Sequence, residues 1–276
     1  MAAVALGYFG WQVMAEIGVV KERDMAMVAS LGKGLAVVEC FDHARPRLSI
    51  TEVAKLTGLE RATARRFLLT LSKLGYANYD GKFFSLTPRV LRLGFAYLAS
   101  TPLPAILQRV LEPLSASLDE SVSASTLDGS EIVYVARASH RRVMSISLTV
   151  GSRLPAYCSS MGRVLLAALP PEPARQRLQA LARRKITPRT ITGVEALMRE
   201  LAQVRAQGFA TIDQELEAGL ISIAVPVFDA SGQVVAAINC GTHASRLCID
   251  DLRGKVLSGL LTAQSELRAV LMRSGR

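Results

Sequence analysis

Cysteine and histidine are scarce: the 276 residues hold 4 and 3 of them. Cys40, Cys158, Cys240 and Cys248 form no CxxC pair, and His43, His140 and His243 stand far from one another. That excludes the usual zinc spacings and a disulfide scaffold. Reduced thiols in a cytoplasmic protein are expected, with no metal and no cofactor. No glycine loop that would cradle a phosphate is present, and no nucleophile–base motif, so nothing marks an enzyme. A membrane span is missing too. Residues 1–24 are apolar at first, but Glu16 interrupts them and Lys21-Glu22-Arg23-Asp24 breaks them. The uncharged run is too short for a comfortable span, and it has neither a basic start nor a cleavage-like end. Residues 1–28 are an N-terminal arm in this reading, or an extension from a misassigned start.

What the chain does hold is positive charge. Lys and Arg outnumber Asp and Glu 33 to 23, a net charge of +10. Half of that excess falls before Thr101, in little more than a third of the chain. A basic front and a milder remainder predict that one end meets a polyanion. With half of the residues apolar, a sizeable core is no obstacle, and two domains are the natural division.

The front is organised around residues 49–82. Ser49 or Thr51 caps a helix whose apolar stripe is Ile50, Val53, Ala54 and Leu56. Gly58 stops it, since glycine accepts a left-handed backbone. A second helix opens near Glu60, with Ala64, Phe67, Leu68, Leu71 and Leu74 at three- and four-residue intervals. Its opposite face carries Arg61, Ala62, Thr63, Arg65 and Arg66. A short helix and then one with a basic start is a helix-turn-helix, whose second helix reads base edges in the major groove of double-stranded DNA. Arginine binds guanine bidentately, and threonine and alanine contact a thymine methyl. Tyr79, Asp80-Gly81 and Lys82 predict a hairpin with a two-residue turn, the wing. Lys82, Tyr79, Ser49, Thr51, Arg45 and Arg47 are phosphate candidates. An amphipathic helix over residues 31–42, with Leu31, Leu35, Val38 and Phe41 on one face, supplies this module's core.

Pro88 opens another helix running to about Ser100, and Thr101-Pro102 ends it. The expected division is 29–87 for the winged helix-turn-helix, 88–101 for a linker helix and 102–276 for a second domain. That domain reads as α+β. A helix over 103–118 precedes strands at 121–126, 131–138 and 143–150. A loop over 151–160 and helices over 161–168, 174–183 and 194–207 follow. Strands at 209–213, 221–228 and 234–240 and a closing helix over 250–272 complete it.

The segments at 30–41 (SLGKGLAVVECF), 57–76 (TGLERATARRFLLTLSKLGY), 86–100, 131–139, 150–170 (VGSRLPAYCSSMGRVLLAALP) and 213–239 together resemble the IclR family of bacterial transcriptional regulators. They look most like its branch for aromatic-acid breakdown through the β-ketoadipate pathway. The resemblance implies a winged helix-turn-helix, a linker helix and a GAF-like effector-binding domain with an antiparallel sheet flanked by helices. It implies a homodimer or dimer of dimers that binds operator DNA, responds to a small aromatic or dicarboxylic acid and can touch RNA polymerase. Matched motif by motif, Ser160, Met161 and Gly162 fall at a helix start suited to a carboxylate. Asp213, Leu220, Ser222, Asn239 and Gly241 fall on pocket strands. Arg137 and Arg142 are further candidates for an acid's counter-charge.

Two rivals remain from the residues alone. One is an enzyme with Cys158 or Ser160 as nucleophile and His140 or His243 as base. The other is a DNA binder that senses no ligand, which leaves the second domain without a task.

Overall fold

The computed structural model describes residues 28–274 apart from 43 and 140–147. The expected arm, His43, His140, Arg142 and most of the strand expected over 143–150 lie outside the described residues. Residues 148–150 are loop. The chain divides into two compact units, Met1–Ser100 and Thr101–Arg276.

The first unit holds α1 (Ala29–Glu39), α2 (Ile50–Thr57) and α3 (Arg61–Lys73), then β1 (Ala77–Tyr79) and β2 (Phe84–Leu86). Ser49 closes a capping box on α2. Its Oγ accepts from the Glu52 N–H at 3.3 Å, and its own N–H donates to Glu52 Oε2 at 2.7 Å. Gly58 ends α2 with φ 68°. Val37, Val53, Ala64, Leu68 and Phe84 form the core of the unit. Phe84 also bonds both ways to the backbone of Leu48, which ties the wing to the start of α2.

Ser49→Ala removes the cap. It should cost about 1 kcal/mol, seen as amide exchange across α2 about fivefold faster. Hydrogen bonds from Ser49 also hold the Glu52 carboxyl below its ordinary 4.5. That contribution is present above pH 4.5 and is lost as the pH falls through the lowered value.

Two expectations change here. Leu31 and Leu35 are not core: they are 65% and 45% exposed, and α1 faces inward with Val37 and Cys40. The wing turn is not a two-residue turn. Tyr79 pairs with Phe84, so the loop holds four residues. Asp80 Oδ1 accepts from the N–H groups of Lys82 and Phe83 at 3.0 and 2.7 Å, and this side-chain turn sets the longer loop.

A 3-10 turn (Pro88–Val90) leads into α4 (Leu91–Ser100). No residue of α4 is buried, although Leu91, Leu93, Phe95, Tyr97 and Leu98 are all large and apolar.

The second unit is a six-stranded sheet between two helical layers. In chain order it holds α5 (Leu103–Leu118), β3 (Ser121–Asp128), β4 (Glu131–Ala138), β5 (Arg153–Pro155), α6 (Ser160–Ala167), α7 (Pro171–Ala180) and α8 (Val194–Gln207). Then come β6 (Ala210–Asp213), β7 (Leu220–Phe228), β8 (Val234–His243), α9 (Ile249–Asp251), a π turn (Leu252–Val256) and α10 (Leu257–Ser274). The antiparallel sheet runs β5-β4-β3-β8-β7-β6. The loop expected over 151–160 thus contains an edge strand, β5, paired with β4.

Strand side chains alternate between faces. Val122 and Ala124, Ile221, Ile223 and Val225, and Ile238 and Cys240 go to one face with α5 and α10. Ile132, Tyr134, Ala224 and Ala237 go to the other with α6, α7 and α8. Among the described residues no single helix is long and apolar enough to cross a membrane.

Candidate functional site

Arg61, Ala62, Arg65 and Arg66 are exposed on α3 and Thr63 is half-buried, while Ala64 and Leu68 on the other face are fully buried. The first turn of α3 contains no acid, and its N-cap, Glu60, makes no side-chain cap bond. An arginine at a helix start opposes the positive end of the helix dipole, and a phosphate there relieves both. No carboxylate among the described residues pairs with Arg61, Arg65 or Arg66.

The other expected DNA contacts divide. Thr51 and Lys82 are exposed. Lys82 and Arg47 both lie over the Phe83 ring, at 5.1 and 5.3 Å. Arg45 and Arg47 form ion pairs with Asp42 and Asp80. Ser49 is committed to its cap, and the Tyr79 hydroxyl donates to Gly81 O at 2.6 Å.

The second site lies in the second unit, where the start of α6 meets the Ser/Asn face of β3, β7 and β8. A cavity that opens to solvent lies there. Ser160, Met161, Leu220, Ser222, Asn239, Gly241 and Arg137 all line it. Ser222 Oγ donates to Ser160 Oγ at 2.9 Å, which joins β7 to α6. Arg137 Nη1 donates to Ser123 Oγ at 2.8 Å and its Nε to Ser139 Oγ at 3.0 Å. No carboxylate among the described residues pairs with it. Burial lowers its pKa, partly offset by Tyr134, so an incoming anion restores what desolvation removes. Tyr134, also in the wall, is pushed up to about 12 by burial and stays a neutral phenol.

Two expected residues fall outside the cavity. Gly162 donates its N–H to Ser159 Oγ at 3.3 Å and packs on the Ala156 backbone. A glycine needed for close approach carries the same signature as one beside a ligand. Asp213 points away and pairs with Arg189 and, at 3.0 Å, with Gln214 Nε2. Other lining residues were missed: Ser121, Ser123, Tyr134, Ser159 and Leu216. A signal for the first two existed. SVSAST places serine at every second position of a strand whose other face is core.

Among the described residues, which exclude His140, the nucleophile reading finds no geometry. Burial pushes the Cys158 thiol up to about 12, the reverse of activation. Ser160 bonds to Ser222, and His243 bonds to Ser245 at 2.8 Å.

Comparison with known proteins adds to this. A family profile described as the IclR helix-turn-helix domain matches residues 30–81, and one described as bacterial transcriptional regulator IclR C-terminal matches 95–268. The Pca regulon regulatory protein of Pseudomonas putida is 46% identical over 88% of this chain and 84% of its own. A crystal structure of a candidate transcriptional regulator from Rhodococcus sp. RHA1 is 48% identical. It has a TM-score of 0.76 and covers 90% of this chain and 100% of that one. The inducer-binding domain of a PobR double mutant from Acinetobacter, solved with 3-hydroxybenzoic acid, is 34% identical. Its TM-score is 0.57, over 60% of this chain and 97% of that one.

Proposed function

Since the chain belongs to the IclR family of bacterial transcriptional regulators, we infer that it binds operator DNA through α3 and the wing and switches genes of aromatic-acid breakdown, the β-ketoadipate pathway, when an organic acid fills the cavity. The observation that carries the acid is Arg137: a half-buried guanidinium, held by serine hydroxyls, facing a cavity with both a polar and an apolar wall. The regulators of the Pca regulon and the PobR domain with its hydroxybenzoate support the same class. Ser160, Ser222 and Asn239 are suited to a ring hydroxyl or a second acid group; Leu220 and Leu216 to the carbon skeleton.

The assembly is a homodimer or dimer of dimers in the cytoplasm, with no catalysis. The wholly exposed apolar α4 supports the pairing, because a helix with no buried face is unstable alone and a second copy would cover it. RNA polymerase is the further contact if the protein activates.

Calorimetric titration of the full chain with 4-hydroxybenzoate, protocatechuate and β-ketoadipate tests the reading. At least one should bind. Arg137→Met should weaken it by about ten- to a hundredfold, the value of a charge-assisted hydrogen bond. No heat from any of the three at millimolar concentration would remove the acid from this account.

A further inference from the structure

Behind the cavity one buried guanidinium joins three segments. Arg163 lies on α6, one turn after Ser160, with 2% of its side chain exposed. Its Nη2 donates to Glu215 Oε2 at 2.7 Å, its Nε to Tyr157 O at 3.1 Å, and its Nη1 to Glu200 Oε2 on α8 at 3.4 Å. Glu215 belongs to the connection between β6 and β7. The same Oε2 accepts from the Ile191 N–H at 3.0 Å, and the Glu215 carbonyl accepts from Thr190 Oγ1 at 2.6 Å. Gln214, before it, has φ 59° and is held by Thr187 Oγ1 on its carbonyl at 2.7 Å. Leu216, after it, lines the cavity.

Stability alone does not account for this pair. Two buried charges lose so much hydration that well-packed apolar residues often match or exceed them. What the guanidinium adds is direction, since its planar fork addresses several acceptors at once. Here those acceptors sit just beside residues of the cavity wall: Tyr157 before Cys158 and Ser159, and Glu215 before Leu216.

We propose that Arg163 is the positioning residue of the acid site: through Glu215 it holds Leu216 on the cavity, through Tyr157 it holds the 157–159 wall, and so it sets how long a bound acid stays. The inference rests on the cavity being the acid site.

The test compares full-length wild type with Glu215→Gln, which keeps the volume and loses the charge. Arg163→Lys is the second variant; it keeps the charge and loses the fork. Thr190→Val is the third; it removes the hydroxyl that donates to the Glu215 carbonyl and accepts from the Thr187 N–H at 2.8 Å, and it leaves the Arg163–Glu215 pair itself in place. The dissociation rate of 4-hydroxybenzoate, or of whichever of the three acids calorimetry detects, is read by ligand exchange in NMR. Melting temperatures without acid are taken alongside. The rate should rise at least tenfold in the first two variants and by less in the third, with operator affinity in the absence of acid unchanged. A lowered melting temperature with a wild-type dissociation rate would leave Arg163 a structural residue only and overturn the proposal. If one variant does not purify, the others carry the same comparison. If wild type binds none of the acids, the reading of the cavity falls, and this inference with it; wild-type binding with unaltered release overturns the inference alone.

Discussion

Replacing Arg65 and Arg66 together by alanine should weaken operator binding by about 30-fold to 10⁴-fold while leaving acid binding intact. The range follows from about 1–3 kcal/mol for each base-specific contact. If an arginine meets a phosphate instead, the loss is smaller at high salt, and the slope of log affinity against log salt flattens by about 0.9 per lost contact. Both side chains are exposed, and no carboxylate among the described residues holds them, so the cost to folding should stay within about 0.5 kcal/mol. Gel shift at two salt concentrations and calorimetry on the same preparation separate the outcomes. Operator binding at wild-type strength would mean that α3 is not the reading helix. Loss of both activities with a lowered melting temperature would mean that the variant had unfolded.

Much of the first unit was legible because its signals are local. Ser49, Gly58 and the apolar spacing of α3 each act within a few residues, and all three are where they were expected except Leu74, which falls at the C-cap and is 53% exposed. The errors came from contacts that cross the chain or leave it. Asp80 lengthened the wing turn by binding two backbone donors with its side chain. Leu31 and Leu35 followed helical periodicity, yet periodicity does not say which apolar stripe meets this chain's own core. In the second unit the strands and helices that fall among the described residues were recovered apart from β5, a short edge, and apart from 148–150, expected as the end of a strand and found as loop. Seven of the expected acid-site residues meet in one cavity, but Asp213 is engaged by Arg189, 24 positions earlier, a pairing no local pattern reveals. The Arg163–Glu215 pair was missed for the same reason, its partners being 52 positions apart.

Gly162→Ala should be the most damaging single methyl in the second unit. A Cβ there would lie 2.6 Å from the Ala156 carbonyl carbon and nearer still to its Cα and oxygen. These are backbone atoms, so no side-chain rotation relieves the overlap. Overpacking of this kind reaches about 3 kcal/mol or more. Alanine's better helix propensity returns about 1 kcal/mol. The clash wins by at least about 2 kcal/mol, which lowers the melting temperature by about 4–8 °C for a unit of this size. Relief requires α6 to move away from residues 156–158, carrying Ser160 and Met161 with it, so acid affinity should fall at least tenfold as well. Gly254→Ala is the control. Nothing lies within 4 Å of its added methyl, so only the propensity gain acts, and its melting temperature should equal wild type or exceed it by up to about 4 °C. A Gly162→Ala protein that melts with wild type would show that α6 does not touch the Ala156 backbone.

The two faces of the sheet have a consequence for how this protein could diversify. One face is sealed by α5 and α10 with apolar side chains; the other lines the cavity with serines and an asparagine, taken from the alternate positions of the same strands. If the cavity is the acid site proposed above, a substitution at Ser123 or Asn239 should change what the regulator detects without opening the hydrocarbon layer behind it. Such a chain can acquire a new inducer by single exchanges of small side chains while its architecture stays as it is, and a selection for altered inducers should find its winners at those alternate positions.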